Sequence, residues 1–198
     1  MEILFCDTNS WFTDACDRMI TENEQLLKFY KFTVENCDIR DIDRKRAAYV
    51  SPANSFGSMG GGIDEIYSRV MFPGIQKTVM DKIGLLETKT ELPFSFDHLK
   101  QGPNKPYLPI GQAIITTLNE YPGYETCYLI TAPTMIYPTE ILGTDNPYKA
   151  MLACLEIIKN HDIDCLVVCG LGTGVGFVPE QESAKQIFRA LNDFNSRT

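Results

Sequence analysis

Two stretches of this sequence place glycine where binding chemistry can use it. Residues 51–62 read Ser-Pro-Ala-Asn-Ser-Phe-Gly-Ser-Met-Gly-Gly-Gly, and residues 170–177 read Gly-Leu-Gly-Thr-Gly-Val-Gly-Phe. Glycine lets a backbone approach a ligand closely and turn its N–H groups toward it. Each stretch lies where a strand hands over to a helix, and a helix start adds partial positive charge. Eight of the 14 glycines fall here: Gly170, and the seven that form the loops, Gly57, Gly60, Gly61, Gly62, Gly172, Gly174 and Gly176. Two such loops facing one crevice suit a diphosphate better than a single phosphate.

Several nucleotide-binding classes are excluded. A Walker loop requires Gly-Lys-Ser/Thr, and neither stretch carries a lysine there. The dinucleotide fingerprint requires Gly-x-Gly-x-x-Gly, whereas residues 170–176 space glycine at every second position and lie near the C-terminus. The net charge of −8 opposes general nucleic-acid binding and docking on anionic membrane. It does not oppose a small anion held by uncharged backbone. Neither a leader pattern nor an apolar run of membrane length is present, so a cytoplasmic location with reduced thiols is expected. The seven cysteines read as small buried hydrophobes, with Cys165 and Cys169 on one strand face. With only His98 and His161 available, no metal site is expected. No cofactor is called for.

The elements that must position these loops alternate. Strands are expected at Glu2–Cys6, 32–35, 47–50, 112–116, 128–132 and 164–169. Helices are expected at 10–19, from Ile63 through Val70, at 75–83, 146–160 and 180–194. Within 10–19, Trp11, Phe12, Ala15, Cys16 and Met19 recur at helical spacing, while 24–30 is ambiguous. Strand–helix alternation points to an α/β fold with a largely parallel sheet covered on both sides. One domain over 1–198 is expected. It carries an N-terminal strand–helix extension (1–30) and an irregular insertion (87–106) holding Pro93, Gly102, Pro103, Asn104 and Pro106.

The ordered pieces together resemble the macro domain family, in a divergent form. Cys37-Asp38-Ile39 resembles that family's Gly-Asp-Ile, and 50–54 (Val-Ser-Pro-Ala-Asn) its Val-Asn-Ala-Ala-Asn. Residues 60–64 (Gly-Gly-Gly-Ile-Asp) match its Gly-Gly-Gly-Val-Asp, with ungapped spacing from Asn54. Gly111-Gln112-Ala113 resembles its Gly-Glu/Gln-Ala. Gly172-Thr173-Gly174-Val175, with Pro179 beyond, resembles its Ser-Thr-Gly-Ile…Pro. The resemblance implies a three-layer α/β/α fold with a mixed, largely parallel central sheet and an ADP-ribose ligand or ADP-ribosylated substrate. It implies that Asp38 accepts from the adenine amine, helped by the Ile39 N–H, and that Asn54 contacts the distal ribose. Gly60, Gly61, Gly62 and Ile63 would cradle one side of the diphosphate. Gly172, Thr173, Gly174, Val175 and Gly176 would cradle the other. The family's first Asn is Ser51 here, Pro52 stiffens the approach, and the aromatic of the last loop is displaced to Phe177. That ring either stacks on a ribose or base, or sits as a core aromatic.

The resemblance also implies catalysis. In the family's hydrolases the Asp after the glycines, here Asp64, orients or activates a water near the distal ribose, with Asn54 beside it. A carboxylate near a diphosphate can have a raised pKa and act as base. Asp64 can equally cap the helix that follows. Three readings result: an ADP-ribosyl or ADP-ribose phosphate ester hydrolase, a non-catalytic ADP-ribose reader, or an interaction domain that kept the fold without the ligand.

Overall fold

A computed structural model describes residues 1–88 and 105–197 of the chain. Six strands form one sheet: β1 (Glu2–Cys6), β2 (Lys31–Glu35), β3 (Ala47–Ser51), β4 (Ile114–Thr117), β5 (Tyr128–Thr131) and β6 (Cys165–Val168). Their order is β2-β1-β6-β3-β5-β4. Neighbours are parallel except β4, which runs antiparallel to β5. The segment expected as an extension is therefore built into the sheet, because β1 pairs with both β2 and β6.

Alternate residues along the strands divide between two apolar layers, as a pleated sheet buried on both faces requires. Ile3, Phe5, Ala48, Val50, Ile130, Leu166 and Val168 face one side. There they meet α1 (Ser10–Glu22), α4 (Asn146–Ile158) and α5 (Glu180–Ser196) through Phe12, Cys154, Leu155 and Phe188. Leu4, Cys6, Ala47, Tyr49, Leu129, Cys165 and Val167 face the other side. They pack on α3 (Ile75–Gly84) through Ile75, Val79 and Ile83, and on Tyr67 and Phe72.

Local sequence explains where the helices begin. Asn9 caps α1, its Oδ1 accepting from the Trp11 N–H at 3.0 Å. Pro147 occupies the first turn of α4, where no N–H is needed. The helix expected from Ile63 through Val70 is split: α2 (Gly62–Ile66) runs into a π-turn at Tyr67–Met71. The Phe72 N–H bonds the Tyr67 carbonyl at 2.7 Å. The extra residue of that turn rotates Tyr67 and Phe72 inward and leaves Val70 on the surface.

Three further expectations change. Trp11 is 71% exposed, although Phe12, Ala15 and Cys16 are buried. The ambiguous 24–30 segment holds a 3₁₀ turn, Glu24–Lys28. Cys165 and Cys169 face opposite layers, because Cys169 lies beyond Val168, where alternation ends and the chain turns into the glycine loop. Most of the expected insertion, 89–104, lies outside the described residues. Its flanks are joined: the Tyr107 N–H donates to the Thr88 carbonyl at 3.2 Å, and the Thr88 hydroxyl donates to the Tyr107 carbonyl.

Candidate functional site

The parallel strands all point their carboxyl ends toward one edge, the place where open α/β sheets hold ligands. A cleft of about 700 Å³ opens there. Every parallel strand contributes to its lining. Cys6 ends β1 and Asp7 and Thr8 follow it; Cys37, Asp38 and Ile39 follow β2; 52–54 and 60–64 follow β3; Thr134 and Met135 follow β5; and 169–176 follow β6 except Leu171. The structure thus brings together all the expected site residues except Phe177. That residue adopts φ 53° and is two-thirds exposed, so its ring is neither in the cleft lining nor in the core.

The two glycine runs present free backbone. The N–H groups of residues 60–64 donate to no group among the described residues, and neither do those of 172–176. The second loop is nonetheless fixed in shape. The Phe177 N–H bonds the Gly174 carbonyl at 3.0 Å, the Val178 N–H bonds the Gly172 carbonyl at 3.1 Å, and the Ile141 N–H bonds the Gly176 carbonyl at 3.0 Å. Glycine is required at two points of this turn. Gly172 has φ 75°, and a Cβ on Gly176 would stand 2.5 Å from the Gly172 carbonyl oxygen.

Asn54 is almost buried, and its Oδ1 accepts from the Phe56 and Ser58 N–H groups at 3.0 and 3.2 Å. The oxygen shapes the loop, and the NH₂ end donates to no group among the described residues. Asp64 is buried in the first turn of α2, and Ser51, the last residue of β3, donates its hydroxyl to Oδ1 at 2.5 Å. Burial pushes the Asp64 carboxyl up to about 7, against the opposing pull of the Ser51 hydrogen bond.

Asp38 behaves in the opposite way. It caps a 3₁₀ turn, Ile39–Asp41, and its carboxylate accepts from the side chain and N–H of Arg40 at 2.7–2.9 Å. Those hydrogen bonds hold it down to about 2, fully ionised at neutral pH. The Ile39 N–H donates to no described group.

Several lining residues were not singled out from the sequence. Asp7 links two strand ends, its Oδ1 accepting from the Asn9 N–H at 2.9 Å and its Oδ2 from the Gly170 N–H at 3.1 Å. Cys6, Thr8, Thr134, Met135 and Pro138 also line the cleft. The available signal was their position just after an apolar run, which gains meaning only once strand order is known. Among the described residues no group of three or more His, Cys, Asp or Glu could hold a metal ion. No described helix is long and apolar enough to cross a membrane.

Comparison with known proteins agrees with this architecture. The Macro domain family matches residues 50–187. An uncharacterised protein of Aquifex aeolicus is 27% identical over 150 residues, spanning 75% of this chain and 74% of the relative. One of Aeropyrum pernix is 28% identical over 153 residues, spanning 77% of this chain and 67% of the relative. Among solved structures, the Oceanobacillus iheyensis macrodomain with ADP superposes with a TM-score of 0.55 at 19% identity, covering 80% of this chain and 74% of that one. The macrodomain of Mycobacterium tuberculosis DarG gives 0.57 at 16% identity, covering 80% and 88%. At these identities the likeness to solved structures is one of fold. The family match spans well over half of the sequence and includes both glycine loops, so the chain belongs to the macro domain family, whose fold implies ADP-ribose as the ligand class.

Proposed function

We propose that this protein binds ADP-ribose between its two glycine loops and hydrolyses an ADP-ribosyl linkage or an ADP-ribose phosphate ester. The observation that carries the reading is the pair of unpaired N–H runs, 60–64 and 172–176, lining one cleft. Unpaired N–H groups gathered along one cleft form a ready set of donors for an anionic acceptor. A diphosphate has enough oxygens for both runs, and uncharged amides explain how an acidic chain can hold a dianion. Asp38 and the Ile39 N–H stand at one end of the cleft and suit an amine donor and a ring nitrogen. The Asn54 amide suits the hydroxyls of the distal ribose.

Asp64 supplies the chemistry. A carboxyl poised near neutrality takes a proton from an attacking water in its ionised form. Its burial in the cleft lining, beside the glycine run, supports a base shielded from bulk solvent. The test is turnover of ADP-ribosylated protein and of ADP-ribose 1″-phosphate by wild type and Asp64→Ala. The expected result is a rate loss of about 100-fold or more with ADP-ribose binding retained. Binding without turnover in either protein gives the reader instead. Absence of both leaves the interaction domain.

A further inference from the structure

Two thiols at one end of the cleft take no part in this scheme. Cys6 ends β1, and Cys37 lies two residues beyond Glu35, the partner of Cys6 across the β1–β2 pair. Their sulfurs are 3.6 Å apart, and the Cys6 thiol points to the Cys37 carbonyl at 3.5 Å. No other two cysteines among the described residues approach within hydrogen-bond range. Backbone ties hold the strand ends together: the Asp7 N–H donates to the Glu35 carbonyl at 3.4 Å, and the Asn36 side chain to the Asp7 carbonyl at 2.8 Å. The thiols differ in access, Cys6 being fully buried and Cys37 half-buried, and both line the cleft. Cys37 directly precedes Asp38.

We propose that Cys6 and Cys37 are a redox pair that a hydroperoxide converts to a disulfide, and that this disulfide weakens nucleotide binding in the cleft. The accessible Cys37 thiol gives up its proton and its thiolate attacks the peroxide oxygen; the S–O bond forms as the O–O bond breaks, and the departing hydroxide takes the thiol's proton and leaves as water. Cys37 is then a sulfenic acid. Cys6 sulfur attacks it, the S–S bond forms as the S–O bond breaks, and the Cys6 proton leaves with the hydroxide as a second water. In sum, two thiols and one hydrogen peroxide give one disulfide and two waters. Burial, foremost, and the Glu35 carboxylate hold the Cys37 thiol above its ordinary value, so the first step is slow.

The consequence for binding follows from which partner moves. An S–S bond is about 2.05 Å long, so sulfurs now 3.6 Å apart must approach by about 1.5 Å. Cys6 sits on a strand clamped by β2 and β6, whereas Cys37 sits in a turn. The turn therefore shifts, and it carries Asp38 and Ile39. This second half rests on the ADP-ribose reading.

The test treats the reduced full chain with hydrogen peroxide, then maps its peptides without reduction and titrates ADP-ribose. The expected product is a Cys6–Cys37 cross-linked peptide, reversed by dithiothreitol and absent from Cys37→Ser. The expected affinity loss on oxidation is about ten-fold or more in wild type, with no peroxide response in Cys37→Ser. A product dominated by sulfinic acid or by other pairings overturns the redox pair. A mapped disulfide with unchanged affinity overturns the coupling to binding. If the reduced protein fails to bind ADP-ribose, the functional reading falls together with the coupling, while the peptide map still decides the disulfide.

Discussion

The Ser51 hydroxyl and the Asp64 carboxylate meet at 2.5 Å beneath the first glycine loop. Ser51 is the last residue of β3 and entirely buried, and Asp64 is 6% exposed. A sheet residue thereby fixes the carboxyl of a helix whose first turn follows three glycines. The two effects on Asp64 oppose each other: burial favours the neutral acid, and the hydroxyl donor favours the carboxylate. Burial wins, and the group titrates near neutrality.

Stability should therefore fall as pH rises. The folded-state value of Asp64, about 7, lies above its unfolded value, so the native state binds the extra proton between the two. Its stabilising contribution is complete below about pH 4 and is lost as pH climbs through 7. The full swing is up to about 4 kcal/mol. Urea unfolding from pH 4 to pH 8 should show it in wild type, and Asp64→Asn should flatten that part of the curve.

Removing the Ser51 hydroxyl should raise the Asp64 value further. Ser51→Ala leaves the burial and deletes the donor that favours the carboxylate. Carboxyl carbon NMR should record an upward shift of the midpoint. At pH 8, where Asp64 is ionised, the variant should lose about 1–3 kcal/mol of stability. A downward shift would mean that the hydroxyl accepts from a protonated Asp64 instead.

Ligand affinity should depend on pH through Asp64 and not through Asp38. Asp38 stays ionised down to about pH 2 because Arg40 holds it. An ionised Asp64 next to a diphosphate is repulsive, so ADP-ribose should bind more weakly above pH 7 than at pH 6. Calorimetry on wild type and Asp64→Asn at both pH values checks this, the variant losing the difference.

The glycines of the second loop should separate by steric role. A Cβ on Gly176 meets the Gly172 carbonyl oxygen at 2.5 Å and the Ile141 side chain at 2.8 Å, whereas one on Gly174 meets nothing within 4 Å. Gly176→Ala should destabilise the protein by about 1–3 kcal/mol. Gly174→Ala should stay within about 0.5 kcal/mol. Thermal unfolding of the two variants without ligand provides the comparison.

Much of the fold was legible in the sequence because strand and helix periodicities differ. Residues 47–50 and 164–169 read as buried strands, and the structure has buried strands at Ala47–Ser51 and Cys165–Val168. The glycine loops were legible as well, because glycine runs after strands have a backbone reason. Pairing was not. Nothing local shows that β1 slots between β2 and β6, so Cys6, Asp7 and Thr8 did not read as cleft residues. Val70 was misplaced because a π-turn adds a residue that apolar spacing does not record. The exposure of Phe177, at a positive φ, was not legible either, since an aromatic after a glycine run carries no signal of its backbone conformation. The Ser51–Asp64 contact joins residues 13 apart, one ending β3 and one in the first turn of α2, which local spacing does not bring together.

The central claim is that the two glycine runs hold one diphosphate, and backbone amide NMR during titration with ADP-ribose tests it most directly. The expected result is saturable shifts concentrated at 60–64 and 172–176, with a companion set at 38–39. Shifts confined to other surfaces, or none at about millimolar ligand, would contradict it.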